Sequence, residues 1–109
     1  MKRAAFLGTP SSAVPSLAAL MELGSVEFVV TPPERPQGRG RRPSPPPVKL
    51  AAQEWGLPVH QPRSHSELYD LFADRDLDVA IVVAYGRILK PELLDTTKVG
   101  FVNVHFSLL

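Results

Sequence analysis

Asp78 to Ala84 reads DVAIVVA, one acid followed by six apolar residues without a break. A strand with one wet face alternates polar and apolar residues. A run with no alternation suits a strand covered on both faces, the situation of inner strands in parallel sheets. Parallel neighbours cannot be joined by tight turns. They need crossovers of about a dozen residues or more, usually helical. This one run therefore demands strands alternating with helices elsewhere in the chain.

The rest of the sequence obliges. Arg3–Leu7 (RAAFL) is a short apolar run stopped by Gly8, and it reads as a buried strand. From Ser11 to Met21 the apolar residues Ala13, Val14, Leu17, Leu20 and Met21 recur at helical spacing. Ser11 or Ser12 is expected to cap that helix, with Pro15 tolerated in its first turn and Gly24 as a stop. Val26–Thr31 is a second strand, Val48–Gly56 a short helix, and Leu57–Pro62 (LPVHQP) a third strand. Ser64–Ala73 is a helix, Pro91–Leu94 a helical turn and Gly100–Phe106 the last strand. The expected class is α/β: a Rossmann-like, mostly parallel sheet with helices on both faces.

Between Pro32 and Pro47 the composition changes. Seven of the chain's 12 prolines fall there, with Gly38, Gly40 and four arginines. Proline removes N–H donors and fixes φ, so this is a long loop and neither helix nor inner strand. Long loops in compact domains usually carry function. Arg35, Arg39, Arg41 and Arg42 lie within eight residues and form the concentrated positive patch of a chain whose net charge is only +1. That makes it the best nucleic-acid candidate, since guanidinium groups pair with phosphates. A merely solvated loop is an equally open reading.

Composition excludes several classes. Apolar residues at 44% and charged residues at 21% are ordinary for a folded globular domain. No apolar run reaches the roughly 20 residues of a membrane span. The start, MKRAAFLGTP, is too short in its apolar part for a signal peptide. Cysteine is absent, so no disulfide or thiolate chemistry is available, which fits a cytoplasmic location. The three histidines have no metal-like spacing, and no metal is expected. His60 and His65 read as surface residues, and Trp55 as core.

Ligands of parallel α/β sheets bind outside the carboxyl ends of the strands. The unusual residues cluster there. Gly8, Thr9 and Pro10 follow the first strand, where a turn can aim N–H groups at an anion; an ordinary tight turn fits equally. Tyr85 and Gly86 end the buried strand, where Gly86 permits close backbone approach and Tyr85 can stack or simply fill the core. Asn103 and His105 share one face of the last strand, with Cα atoms about 7 Å apart. An amide can donate to a developing oxyanion, and an imidazole can move a proton near neutral pH. On spacing alone, a plain polar strand face fits that pair better than a site does.

Five segments, taken in order, change that balance. FLGTP, RPQGRGRRPSPPPVK, GLPVHQP, VVAYGRILKPELL and NVHFSLL together resemble the N-terminal half of the catalytic domain of the methionyl-tRNA formyltransferases. The N-x-H-x-S-L-L element is shared across 10-formyltetrahydrofolate-using enzymes, and the R-P-x-G-R-G loop is more specific to those acting on tRNA. The resemblance covers essentially the whole chain. It implies transfer of a formyl group from 10-formyltetrahydrofolate to the α-amino group of methionyl initiator tRNA. It implies catalytic roles for Asn103 and His105, contact with the folate by Tyr85, Gly86, Arg87, Ile88 and Leu89, and substrate binding by Gly8, Thr9, Pro10, Arg35, Arg39, Arg41 and Arg42. Residues 1–109 would form the N-terminal portion of the formyltransferase domain, with 32–47 as a Pro/Arg-rich insertion. The expectation is a truncated domain: the family's third catalytic group, an aspartate, lies beyond Leu109, as does a C-terminal tRNA-binding domain. The full-length form is expected to be a monomer without membrane association. Ser12 stands where the family usually has an aromatic residue, and Pro32 where it usually has glutamine. Two other readings stay open: a different 10-formyltetrahydrofolate-dependent formyltransferase, and a non-catalytic Rossmann-like nucleotide-binding module.

Overall fold

The computed structural model describes residues 2–34 and 44–105. Its elements are β1 (Arg3–Gly8), a 3-10 turn (Ser11–Ala13), α1 (Val14–Leu23), β2 (Ser25–Val30), α2 (Pro47–Glu54), β3 (Val59–His60), α3 (His65–Ala73), β4 (Val79–Val83), α4 (Pro91–Leu94) and β5 (Gly100–Val104). The five strands form one sheet in the order β3-β2-β1-β4-β5, and every neighbouring pair is parallel. The Rossmann-like α/β class is thus the observed one.

The continuous apolar run behaves as its pattern requires. β4 lies between β1 and β5, and its residues serve both faces of the sheet. Val82 and Ala80 join Ala5, Leu7, Phe28 and Val30 against α3 and α4, where Leu68, Phe72 and Leu93 close the layer. Val83 joins Phe6 and Val29 on the other face, under Leu17 of α1 and Val48 and Ala52 of α2. Burying a side chain of this size contributes about 1.5–3 kcal/mol, so the two cores together hold the sheet in place.

Several local expectations are corrected. Neither Ser11 nor Ser12 caps α1; a 3-10 turn intervenes, and the helix begins at Val14 with no side-chain cap. Pro47 opens α2 and does not close the loop, consistent with the tolerance of proline at a first helical position. β3 shrinks to two residues, because Pro58 and Pro62 flank it and cannot donate to a ladder. Trp55 is not core: it follows α2 and is 38% exposed, since Val48, Ala51 and Ala52 already fill the helix face that meets the sheet. His60 is half-buried, edge-on to Phe28 with ring centres 5.5 Å apart.

Candidate active site

The strand order creates the crevice. From β1 the chain steps outward through β2 to β3, then crosses to β4 beside β1 and steps the other way to β5. At such a reversal the loops after the two central strands diverge, leaving a gap at their carboxyl ends. Here Thr9, after β1, and Ala84–Gly86, after β4, together border the opening.

Local sequence shapes the gap. Gly8 is buried, and a Cβ there would meet the Val83 carbonyl and Phe6 ring at 2.9 Å. Its role is close packing of β1 on β4. Thr9 then ties three elements: its hydroxyl donates to the Tyr85 carbonyl at 3.0 Å, and its carbonyl accepts from Val48 of α2 at 3.3 Å. Beyond β4 the backbone leaves the strand abruptly. Ala84 has φ +51° and Gly86 φ +85°. The alanine conformation costs about 1–2 kcal/mol, and the glycine is the residue that adopts its own turn without strain.

Two clefts open on either side of this strap and share Ala84, Tyr85, Gly86 and Arg87. The smaller, about 640 Å³, brings Asn103 and His105 together with that strap and Leu89, over a floor of Phe101 and Leu94. Asn103 and Phe101 share a strand face, and Phe101 packs on the α3–α4 core, so that face carries both the apolar floor and the amide. Asn103 and His105 are exposed, accessible to a ligand. The larger cleft, about 1020 Å³, is bordered by Thr9, Pro10, Glu34, His65, Ile88 and the strap. Ile88 therefore lies on the opposite side from Leu89 and is 88% exposed. Arg35, Arg39, Arg41 and Arg42 lie outside the described residues.

The base of the Pro/Arg loop is anchored. Lys49 of α2 bonds Glu34, and also donates to the Gln61 side chain at 3.0 Å, while Gln61 donates to the Pro32 carbonyl at 3.0 Å. The Lys49 ammonium holds the Glu34 carboxyl below its usual range. Tyr85 is 3% exposed, its ring part of the core with Leu68 and Phe72, and burial raises its pKa so that it stays a neutral hydroxyl.

His65, read from sequence as a surface residue, is a correction of consequence. It opens α3, borders the larger cleft, and its Nε2 is buried without a partner among the described residues. The signal was present in Ser64-x-x-Glu67. The Ser64 side chain accepts from the Glu67 amide at 3.1 Å, and the Glu67 carboxylate accepts from the Arg63 amide at 2.5 Å. This variant of a capping box fixes His65 at the first helical position, on the carboxyl side of β3. Among the described residues, no group of three or more His, Cys, Asp or Glu is placed to hold a metal ion, and no helix is long and apolar enough to cross a membrane.

The sequence model described as formyl transferase matches residues 2–109. The chain belongs to the formyl transferase family. Among curated relatives of this formyl transferase chain, the methionyl-tRNA formyltransferase of Pelotomaculum thermopropionicum is 50% identical over 110 residues, covering 98% of this chain and 35% of the relative. That of Halorhodospira halophila is 51% identical over 109 residues, with coverage of 98% and 35%, and that of Listeria innocua 47% over 112 residues, with 100% and 36%. This formyl transferase chain thus spans about 35% of the length of those relatives. A solved glycinamide ribonucleotide transformylase from Geobacillus kaustophilus superposes with a TM-score of 0.69 at 24% identity, over 100% of this chain and 60% of that one, which establishes the shared fold.

Proposed function

We propose that the chain carries the formyl-transfer centre of a methionyl-tRNA formyltransferase, moving a formyl group from 10-formyltetrahydrofolate to the amino group of methionyl initiator tRNA in the cytoplasm. The observation that carries this reading is the smaller cleft, where Asn103 and His105 meet Tyr85, Gly86, Arg87 and Leu89 across an apolar floor. Identity near 50% to relatives named for this activity supports the choice of acceptor.

In this reading the smaller cleft takes the folate ring, with backbone groups of Gly86, Arg87 and Leu89 meeting its polar edge and Leu94 and Phe101 its apolar face. The aminoacyl end approaches from the larger cleft, past Thr9 and Pro10. Its amine attacks the formyl carbon, and the carbonyl oxygen becomes an oxyanion. Asn103 donates its amide N–H to that oxygen, an interaction that strengthens as charge develops. His105 takes the proton released by the attacking amine and returns one to the folate nitrogen as the carbon–nitrogen bond to the donor breaks. Formyl, electrons and proton are then conserved between the two substrates. Arg35, Arg39, Arg41 and Arg42 would pair with phosphates of the acceptor arm, on a loop whose base Lys49, Glu34 and Gln61 fasten. The complete enzyme would act as a monomer.

The test is a chimera in which this chain replaces the matching third of the Pelotomaculum thermopropionicum enzyme. Formylation of methionyl initiator tRNA at a rate within tenfold of the parent is expected. A folded chimera that binds tRNA and folate yet transfers nothing would refute the reading.

A further inference from the structure

Lys49 joins three stretches of chain that are distant in sequence. From the first turn of α2 its ammonium bonds the Glu34 carboxylate and donates to the Gln61 side chain at 3.0 Å, and Gln61 donates in turn to the Pro32 carbonyl at 3.0 Å. Glu34 is the last described residue before the arginine-bearing segment, and α2 is the helix that follows that segment. Gln61 comes directly after β3, which pairs with β2 close to Pro32. The clasp therefore sits at the entry to residues 35–43 and ties that entry to α2 and to the end of β3.

This ammonium is not a free surface cation. The Lys49 side chain is 20% exposed, against 62% for Lys98 in the ion pairs at the amino ends of the strands. A partly sheltered pair is screened less than an exposed one and fixes geometry better. Of the three donors of a lysine, two are already committed to Glu34 and Gln61.

The clasp also continues into the fold. Val48, beside Lys49, is fully buried in the core and donates its backbone N–H to the Thr9 carbonyl at 3.3 Å. The Thr9 hydroxyl donates to the Tyr85 carbonyl at 3.0 Å. An unbroken series of covalent and hydrogen bonds thus runs from Glu34 through Lys49, Val48 and Thr9 to the strap after β4. Position is transmitted along such a series because its middle member is held by a packed helix.

We infer that Lys49, with Glu34 and Gln61, is a positioning residue for the acceptor RNA: the clasp sets where the arginine segment begins relative to the strap, and Lys49 itself touches no phosphate. The inference rests on the proposed function for the identity of the anionic partner. A broken clasp leaves Asn103, His105 and the smaller cleft intact, so the loss falls on RNA and spares folate.

The test is steady-state kinetics of the chimera, with methionyl initiator tRNA and 10-formyltetrahydrofolate varied in turn. Lys49→Met is expected to raise KM for the tRNA about fivefold, the scale of one ion pair, with kcat and KM for the folate within twofold of the parent. Lys49→Arg, which keeps the cation, should stay within twofold throughout. Gln61→Met removes no charge and should raise KM for the tRNA in the same direction; it carries the test if Lys49→Met fails to fold. Combined with Lys49→Met it should add little, since both break one network. The slope of log KM for the tRNA against log salt should be unchanged in Lys49→Met, whereas loss of a direct phosphate contact would reduce it by about one. A reduced slope, an equal rise in KM for the folate, or Gln61→Met at the parent's value would overturn the positioning role. A parent chimera that transfers no formyl group would overturn the proposed function itself, and this inference with it.

Discussion

At the amino ends of the strands the polar groups find one another. Arg3 donates through its backbone to Asp78 at 2.8 Å and through its guanidinium to Glu27 at 3.0 Å, while Ser25 donates to the same Glu27 at 2.7 Å. Lys98 pairs with Asp76 at 3.2 Å and reaches Asp78 at 3.9 Å. At the carboxyl ends of the same strands the pattern inverts. There sits Ala84, the one non-glycine residue with a positive φ among those described; three polar side-chain atoms (Thr31 Oγ1, His65 Nε2 and the Tyr85 hydroxyl) stay buried without partners among the described residues, and two clefts open. One edge of the sheet is finished and the other is left with unspent bonding capacity. A ligand has something to gain only at the second edge, and strain persists only where the surroundings over-determine it.

That contrast can be broken in graded ways. The largest effect belongs to His105→Ala in the chimera: formyl transfer falls by about 100-fold or more, while the urea midpoint stays put, because an exposed side chain at the end of β5 holds little of the fold. Turnover unchanged in a steady-state assay would remove His105 from the mechanism. Next comes Gly8→Ala. The new Cβ would press on the Val83 carbonyl, and overpacking of this kind costs about 1–3 kcal/mol. Urea denaturation should show the loss, together with weaker 5-formyltetrahydrofolate binding as the β4 strap shifts.

Thr9→Val is the sharper probe of the strap, since it keeps the shape and deletes the bond to the Tyr85 carbonyl. A loss of about 1 kcal/mol is expected, with Thr9→Ser restoring it. Equal folate affinity in Val and Ser variants by calorimetry would mean that the strap needs no tie across the crevice. The smallest effect lies at the finished edge. The Arg3 amide, more than any nearby cation, holds the Asp78 carboxyl below its ordinary value of 3.8. A carboxylate depressed in the folded state stabilises above its unfolded pKa and loses that contribution as pH falls through the folded one. Asp78→Asn should therefore flatten the acid limb of the stability curve below about pH 4, and leave ligand affinity unchanged. His60 acts in the same sense at higher pH. Burial disfavours its charged form, so stability should begin to fall below about pH 6.5, and His60→Gln should remove that early slope.

Much of the fold was legible in the residues. The unbroken apolar run at Asp78–Ala84 announced an inner parallel strand, and the spacing of Ala13, Val14 and Leu17 announced a helix, because periodicity records which sides of an element are covered. Family membership was legible too, through five short segments in order. Burial at element ends was not. Trp55 looked like core because it ends an amphipathic helix, yet it sits past the last residue of α2 that faces the sheet. His60 and His65 looked like surface residues, since both lie near Pro and Ser in connecting regions.

Local interactions, which reach only a few residues along the chain, determined the strand and helix types, the proline-rich break after β2 and the shared face of Asn103 and His105. Which strands lie side by side depends on contacts between residues far apart in sequence. Only the tertiary structure set the order β3-β2-β1-β4-β5, and with it the crevice where Thr9 meets Tyr85, 76 positions away. Only that order brought His65 and Tyr85 onto one wall, because a cleft is a property of elements that meet in space and no single segment carries it.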